Sequence, residues 1–587
     1  MTSENTWRYT TLGLLLTAFA LFIVVQILRI QLSPQAEVFR NRGEIYSGSW
    51  RTLVPARGQI YDRWGHQLAG NTTVYEVGVE LTYVQNPSTI ALALNAVTGS
   101  EYDKVFALAS QEPSDEAVYA RLADFVTEEQ KAKLEQLAAE MQTAYGRSKE
   151  KERPSLAGLR YIPHLQRSYP EKDLASNILG FVNREGKGFF GIEEQFNDEL
   201  AGDPQTVWVP ADPNRVEELP EVPDGASLIL TIDRAVQAEI EGILDQAIDE
   251  SGSEAGTIVV MDPSNGEILA MATTPRLDLN EFWRYGEIFV DSTPFNRAVS
   301  KIYEPGSVFK VLTMASALDN GSVKPDTPFL DTGAIEVGGT VIINWNSGAW
   351  GPQDMLGCLQ HSLNVCLAWV ATQLGTNDFY NYLQGFGIGH LTGVDLAGEN
   401  PGRLKLPGDS DWYEADLGTN SFGQGVAVTP VQMVMAVSAI ANEGKMVVPR
   451  IVLSMIDQGH QYNTSTQVAG MPITQESAQT LTNMLATSLE VESSVALIEG
   501  YRVAGKTGTA EIPTPFGYTS SQTHASFVGW GPVDDPQFLV YIWLEKPSVS
   551  PWGSVVAAPV FKQVVERLVV LLNIPPDDVR QRMMDSN

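Results

Sequence analysis

No charged side chain interrupts the stretch from Tyr9 to Leu28, YTTLGLLLTAFALFIVVQIL. About 20 apolar residues wound as a helix match the roughly 30 Å of bilayer hydrocarbon. A single segment in that medium must satisfy its own backbone donors and acceptors, which a helix does. Arg8 and Arg29 bracket the run, and Trp7 and Tyr9 suit a membrane interface. A cleaved secretory signal is the alternative, but its apolar segment would be shorter, and no small-x-small cleavage site follows. We read a signal anchor over 10–30 behind a short cytoplasmic tail over 1–9. Orientation stays open at this level: one arginine precedes the span and Arg29, Arg40 and Arg42 follow it, and the positive-inside rule is weak for long translocated domains.

A chain of 587 residues is too long for one core and implies several domains. Its 71 acidic and 39 basic residues give a net charge of −32, which argues against nucleic acid as a partner. The two cysteines, Cys358 and Cys366, fit neither a zinc spacing nor C-x-x-C. A disulfide between them is open, although on one continuous helix they would lie too far apart to bond. No metal or cofactor is expected, since H-E-x-x-H and comparable ligand spacings do not occur.

Beyond the anchor, IYDRWGHQLA reads as two short strands around the turn Asp62–Gly65. From Pro87 to Glu152 the pattern is read as helical, ending in a solvated run, SKEKER, at Ser148–Arg153. The Pro-, Asp- and Glu-rich stretch from Asp203 to Asp224 holds the expected domain boundary. Val236, Ile240, Ile243, Leu244 and Ala247 then form a helical stripe behind Asp233 as N-cap. TIVVMDPSNGEILAMATT reads as strand, Asn265–Gly266 turn, strand. HASFVGWGPVDDPQFLVYIWLEK reads as a second hairpin, around Asp534–Pro536. A terminal helix carries Val560, Phe561, Val564, Val565, Leu568 and Leu571 on one face. The fold class is therefore α+β and multidomain: an anchor, a region before the boundary stretch, and an antiparallel sheet covered by helices.

Three motifs stand in order: EPGSVFK with Ser307 and Lys310, HSLNV with Ser362 and Asn364, and GKTGT with Lys506, Thr507, Gly508 and Thr509. Singly the first two are weak. Ser148 and Lys151 also satisfy S-x-x-K, and Ser3 and Asn5 satisfy S-x-N, whereas K-T-G occurs once. Pro305 suits a helix start, which puts Ser307 at a helix N-terminus and Lys310 on the same face. Such a lysine serves as a base only if burial or a cationic neighbour removes its proton. The K-T-G segment reads as an edge strand that pairs with a substrate backbone. Gly508 would leave room for that backbone, and Lys506 and Thr507 would hold an anion.

This constellation resembles the penicillin-recognising serine acyltransferases. RGQIYDRWGHQLA, RSYPEKDLASNILGF, GKGFFGIEEQF, FNRAVSKIYEPGSVFK, SFGQGVAVTPVQ and the HASFVGWGPVDDPQFLVYIWLEKP…AAPVF segment extend the likeness to class B penicillin-binding proteins, most of all the division type. The resemblance implies a peptidoglycan D,D-transpeptidase without glycosyltransferase activity, with a pedestal over 31–220, a transpeptidase domain over 225–575 and a tail over 576–587. It implies Ser307 as nucleophile on a D-Ala–D-Ala stem peptide or a β-lactam, Lys310 as its base, and Ser362 as proton relay beside a charged Lys506. It implies that Asn364 holds the donor amide, that Thr507 and Thr509 bind the terminal carboxylate, and that the Ser307 and Thr509 N–H groups form an oxyanion hole. Expected partners are stem peptides, β-lactams, division proteins and a membrane glycan polymerase of the shape, elongation, division and sporulation family, with the catalytic domain outside the cytoplasmic membrane. The alternatives are a β-lactam sensor or scaffold of the division complex, a carboxypeptidase, or a β-lactamase, for which no motif supplies a water-activating glutamate. A Ser-His-Asp hydrolase lacks G-x-S-x-G, and His361 and His524 are read as packing residues.

Overall fold

The computed structural model describes residues 6–33, 48–114, 118–147, 153–210, 222–291, 293–514 and 517–585. Most of the SKEKER run and the middle of the boundary stretch lie outside them. The chain forms two units, one of Met1–Ala56 with Gly202–Gly225 and one of Arg57–Ala201 with Ala226–Asn587. In the first, helix α1 (Thr6–Gln31) is the one described helix long and apolar enough to cross a membrane, with a mean hydropathy of 2.5. Strands Gly48–Leu53 and Gln205–Pro210 pair antiparallel in the same unit.

The second unit begins with the hairpin read from sequence. Strands β1 (Ile60–Tyr61) and β2 (Gln67–Glu80) flank a turn in which the Asp62 carboxylate accepts the Trp64 and His66 N–H groups at 2.9 and 2.7 Å. The expectation of helix from Pro87 to Glu152 is corrected. Helices Pro87–Thr98 and Glu128–Tyr145 form, but strand β3 (Tyr119–Thr127) lies between them and pairs with β2. Ala120 and Leu122 are buried while Tyr119 and Arg121 are exposed, a period of two that the neighbouring helical pattern masked. Strand β4 (Leu159–Ser168) covers the other edge of β2.

Strand β5 (Ser227–Leu230) runs parallel to β1 and pairs antiparallel with Val452–Asp457 on its other edge, so one sheet carries strands from both sides of the boundary stretch. Above it a five-stranded sheet comprises β6 (Ala255–Met261), β7 (Ile268–Thr273), β8 (Ala504–Thr514), β9 (Gly517–Gly531) and β10 (Phe538–Glu545). Their order is β7-β6-β10-β9-β8, with antiparallel neighbours throughout. Its helices are α2 (Arg234–Ser251), α3 (Lys310–Asn320), α4 (Met355–Gln360), α5 (Asn364–Leu374), α6 (Pro430–Ala441), α7 (Gln475–Val491) and α8 (Ala558–Leu571). Helix α2 starts at Asp233, whose carboxylate accepts the Ala235 and Val236 N–H groups. It packs with α8 on one face of the sheet, and α6 and α7 cover the other, with α3 packed against them. Strand β10 serves both cores: Phe538, Val540, Ile542 and Leu544 meet the α2 and α8 side, and Leu539, Tyr541 and Trp543 the other. That explains its unbroken apolar sequence.

Below the sheet, three stretches far apart in sequence meet at one carboxylate. Glu193, fully buried, accepts from Arg57 Nε and Arg167 Nε, both at 2.7 Å, and the Tyr169 hydroxyl lies 3.3 Å away. Removing one charge from such a group strands the others without solvent. Glu193→Gln is expected to lower stability by about 3–5 kcal/mol. A thermal melt within a degree of the parent protein would contradict this.

Candidate active site

The site is built from a turn, a kinked helix pair and a strand edge. The turn is a 3-10 segment, Gly306–Phe309, that runs directly into α3. Gly306 has φ +61°, and a Cβ there would stand 2.7 Å from the Thr509 carbonyl oxygen, so glycine is what lets the turn seat against β8. Ser307 is half-buried on this turn, and its hydroxyl makes no hydrogen bond among the described residues. Lys310 opens α3 three residues later and is fully buried. Its Nζ lies 2.6 Å from the Ser362 carbonyl oxygen, 2.7 Å from Asn364 Oδ1 and 3.1 Å from Ser362 Oγ. Among the described residues it forms no ion pair. Burial, reinforced by the charge on Lys506, pushes its pKa well below the ordinary lysine value. A neutral amine fits these contacts: two N–H donors for two carbonyl oxygens, and a lone pair left to take a hydroxyl proton.

Ser362 and Asn364 stand where two helices fail to merge. Helix α4 ends at Gln360 and α5 begins at Asn364, and between them Ser362 adopts φ +52°. A left-handed serine costs about 1–3 kcal/mol unless its surroundings impose it. Here Cys358 on α4 and Cys366 on α5 are joined by a disulfide across the break, with their Cα atoms 6.0 Å apart. The kink resolves the distance objection raised from sequence, because the two cysteines do not share a helix. The Asn364 amide is held by donation to the Ile343 carbonyl oxygen at 3.3 Å. The adjacent Asn344 side chain accepts the Val365 N–H at 3.2 Å and donates to Asp331 at 2.8 Å.

The third wall is β8, an edge strand of its sheet. Lys506 is buried, with Nζ 3.3 Å from the Thr507 carbonyl oxygen and 3.4 Å from its hydroxyl. Burial lowers its pKa to about 8, with the Glu492 carboxylate acting in the opposite sense. Thr507 and Thr509 are half-buried. The Thr509 hydroxyl accepts the Gly553 N–H at 3.1 Å, which leaves its own proton to donate. A Cβ at Gly508 would lie 2.2 Å from Ser526 Oγ and 2.9 Å from Val308 Cγ1, so the missing side chain makes room for the paired strand β9 and for the turn that carries Ser307. Glu492 and Asn344 went unnoticed in the sequence, where neither belongs to a motif. His361 stacks on Trp350 at 4.0 Å, and His524 lies edge-on to Tyr303 and Trp543. Burial first, then the charges of Lys301 and Lys546, lowers the His524 pKa to about 4, so it packs as a neutral ring.

The arrangement sets a free hydroxyl three residues from an unpaired amine on one helical turn. It adds a second hydroxyl on that amine and a cation-bearing strand edge opposite. That is the equipment for nucleophilic acyl transfer to a substrate bearing an anion. Residues 256–566 match the penicillin-binding protein transpeptidase domain, and residues 52–223 match the penicillin-binding protein dimerisation domain. The chain belongs to the penicillin-binding protein transpeptidase family. It is 32% identical over 538 residues to stage V sporulation protein D of Bacillus subtilis, a match covering 89% of this chain and 79% of that one. It is 27% identical over 590 residues to the peptidoglycan D,D-transpeptidase FtsI of Escherichia coli, covering 97% and 93%. Among solved structures it resembles a peptidoglycan synthetase from Bifidobacterium adolescentis, with a TM-score of 0.69, 26% identity, and coverage of 90% and 97%.

The disulfide is expected to hold Ser362 in its left-handed conformation. Replacing Cys358 and Cys366 by serine together should cost about 2–3 kcal/mol, the loop-closure value for so short a ring. It should also slow reaction with penicillin, because the Ser362 hydroxyl and Asn364 are no longer fixed against Lys310. A double variant that melts lower yet reacts at the parent rate would show that the bond only stabilises.

Proposed function

We propose that this protein is a membrane-anchored, division-type peptidoglycan D,D-transpeptidase that works through an acyl-serine on Ser307 and adds no glycosyltransferase activity. The observation that carries the reading is Lys310, a buried amine with two carbonyl oxygens and the Ser362 hydroxyl around it and, among the described residues, no carboxylate paired with it. Lys310 takes the Ser307 proton as Oγ attacks the penultimate D-Ala carbonyl carbon. The N–H groups of Ser307 and Thr509 receive the developing oxyanion. As the tetrahedral adduct collapses, the C–N bond breaks and the proton returns from Lys310 through the Ser362 hydroxyl to the departing D-Ala amine. The ester then waits for an amine from a second stem peptide. That amine attacks the ester carbonyl carbon and gives its proton to Lys310; as the new adduct collapses to the amide the C–Oγ bond breaks, and Lys310 returns the proton to the leaving Ser307 Oγ. Asn364 holds the donor amide, and Lys506, Thr507 and Thr509 hold the terminal carboxylate. The substrate places everything after the anchor outside the cytoplasmic membrane. A glycan polymerase of the shape, elongation, division and sporulation family supplies the strands, met through the anchor and pedestal. An intact base and amide argue for turnover over a sensor or scaffold role.

Ser307→Ala should abolish labelling by a membrane-impermeant fluorescent penicillin in unlysed spheroplasts and leave the melting temperature nearly unchanged, as removal of one cleft hydroxyl touches no core. It should also end crosslinking of lipid-linked glycan in a mixture containing the polymerase. Labelling that survives the substitution would identify a different serine, and labelling seen only after lysis would invert the topology.

The two lysines predict a bell-shaped pH profile for acylation. Lys310 must be neutral, and its pKa lies well below 10.5, so the rate rises with pH as it loses its proton. Lys506 must be charged, and its pKa is about 8, so the rate falls as pH climbs beyond that. Lys506→Arg should abolish the alkaline limb, since guanidinium stays protonated. Lys506→Ala should move the acid limb upward, because the cation that depresses Lys310 is gone. A parent rate still climbing at pH 10 would contradict both assignments.

A further inference from the structure

Two indoles stand in the open on the strand pair of the anchor unit. Trp50 and Trp208 are directly opposite each other in the antiparallel ribbon of Gly48–Leu53 and Gln205–Pro210. Their ring centroids lie 5.6 Å apart at 71°, and they are 67% and 37% exposed. Tryptophan is highly buried on average in folded proteins, yet these two share one face of a ribbon to which no third strand pairs among the described residues. Strand residues alternate between faces, so Thr52 and Thr206 lie on the same face, with their hydroxyls 3.3 Å apart. Register and chain order grade that face. The Gly48–Pro210 end is where the chain arrives from α1, whereas after Leu53 and before Gln205 it lies within four residues of the second unit. The indoles therefore sit toward the anchor and the hydroxyls toward the rest of the protein.

The 16 residues between α1 and the ribbon reach at most about 55 Å, so the ribbon is tethered near the bilayer that α1 is fit to cross. The charge changes sign here as well. From Arg29 to Arg51 four arginines stand against two glutamates, a net positive stretch in a chain whose overall charge is −32. Arginines and tryptophans side by side suit a bilayer surface. The cations meet anionic headgroups, and an indole, apolar in body with one polar N–H, settles at headgroup level. We propose that the Trp50–Trp208 face rests on the membrane surface, on the side of the catalytic domain, so that the protein meets lipid at a second place besides its spanning helix. The ribbon links the anchor to the second unit, and seating it on lipid removes the freedom that a 16-residue connection would otherwise leave it. The proposal rests on α1 crossing the membrane and is independent of the chemistry at Ser307.

The test uses the full-length protein in vesicles of phosphatidylcholine and phosphatidylglycerol, with no other protein present. Subtracting the emission of the Trp50→Phe/Trp208→Phe double variant from that of the parent isolates these two indoles from the other tryptophans, Trp7 included. Lipids brominated at the headgroup end of the acyl chain should quench most of this difference emission, and lipids brominated at the far end of the chain much less of it. Difference emission that escapes both brominated lipids and is quenched by dissolved acrylamide would put the ribbon in water. Emission shielded from lipid and acrylamide alike would put the indoles against protein, a second copy of this chain. Either result overturns the proposal. The unsubstituted protein gives a reading that needs no variant. A phospholipid carrying a photoactivated diazirine just below its headgroup should label the peptides that contain Trp50 and Trp208 as well as peptides from α1. Label on α1 alone would contradict the docking. Label on neither would reject the spanning helix on which the proposal rests, and the proposal with it, while leaving the acyl-transfer reading of Ser307 untouched.

Discussion

A lysine amine sealed against water, with no carboxylate beside it, sets the terms for the catalytic head. Leaving a cation in that position costs several kcal/mol of solvation, and the surroundings of Lys310 supply carbonyl oxygens and hydroxyls instead of a counter-charge. The second buried lysine, Lys506, adds to the pressure on its proton. Two cations that would repel each other if both were charged are better accommodated when one is neutral. Their different surroundings decide which: Lys506 alone has a carboxylate, Glu492, acting on it.

Much of the nearby architecture keeps that amine dry and its partners fixed. Gly306 and Gly508 lack the side chains that would hold the Ser307 turn off β8. Helix α3 is enclosed by α5, α6 and α7, and the sheet behind is filled from both faces by β10. The break between α4 and α5 presents a backbone carbonyl, a hydroxyl and an amide oxygen to one nitrogen. The disulfide across the break and the Asp331–Asn344 pair beneath it hold an arrangement that a continuous helix could not offer. Farther down, the Glu193 cluster and the parallel pairing of β1 with β5 bind the upper pedestal into the same unit.

Local features were legible in the sequence wherever a single segment carries its own signal. The anchor, the Asp233-capped helix, the Asn265–Gly266 and Asp534–Pro536 hairpins and the K-T-G strand all announce themselves by periodicity or turn chemistry. The three motifs named the side chains, and the fold brings Lys310 against Ser362 and Asn364. What escaped notice depends on partners remote in sequence. Strand β3 shares its surroundings with helices and is settled by pairing with β2. The hairpin strand β1 was legible, but its parallel pairing with β5 across the boundary stretch was not. The closeness of Gly508 to the Ser307 turn went unread because Val308 on that turn lies some 200 residues away in the chain. The disulfide required a helix break that neither cysteine signals, and the influence of Glu492 on Lys506 is a matter of spatial approach alone.

The most direct measurement is the titration of Lys310 itself, followed by NMR of lysine carbon-13 ε positions in the full-length protein, with its signal assigned by its loss in Lys310→Arg. The account predicts a midpoint well below the ordinary lysine value of 10.5, moving upward when Lys506 is replaced by methionine. A midpoint at the ordinary value, unmoved by that replacement, would mean that Lys310 is a charged structural residue, and the account of the site as a lysine-activated serine would fall.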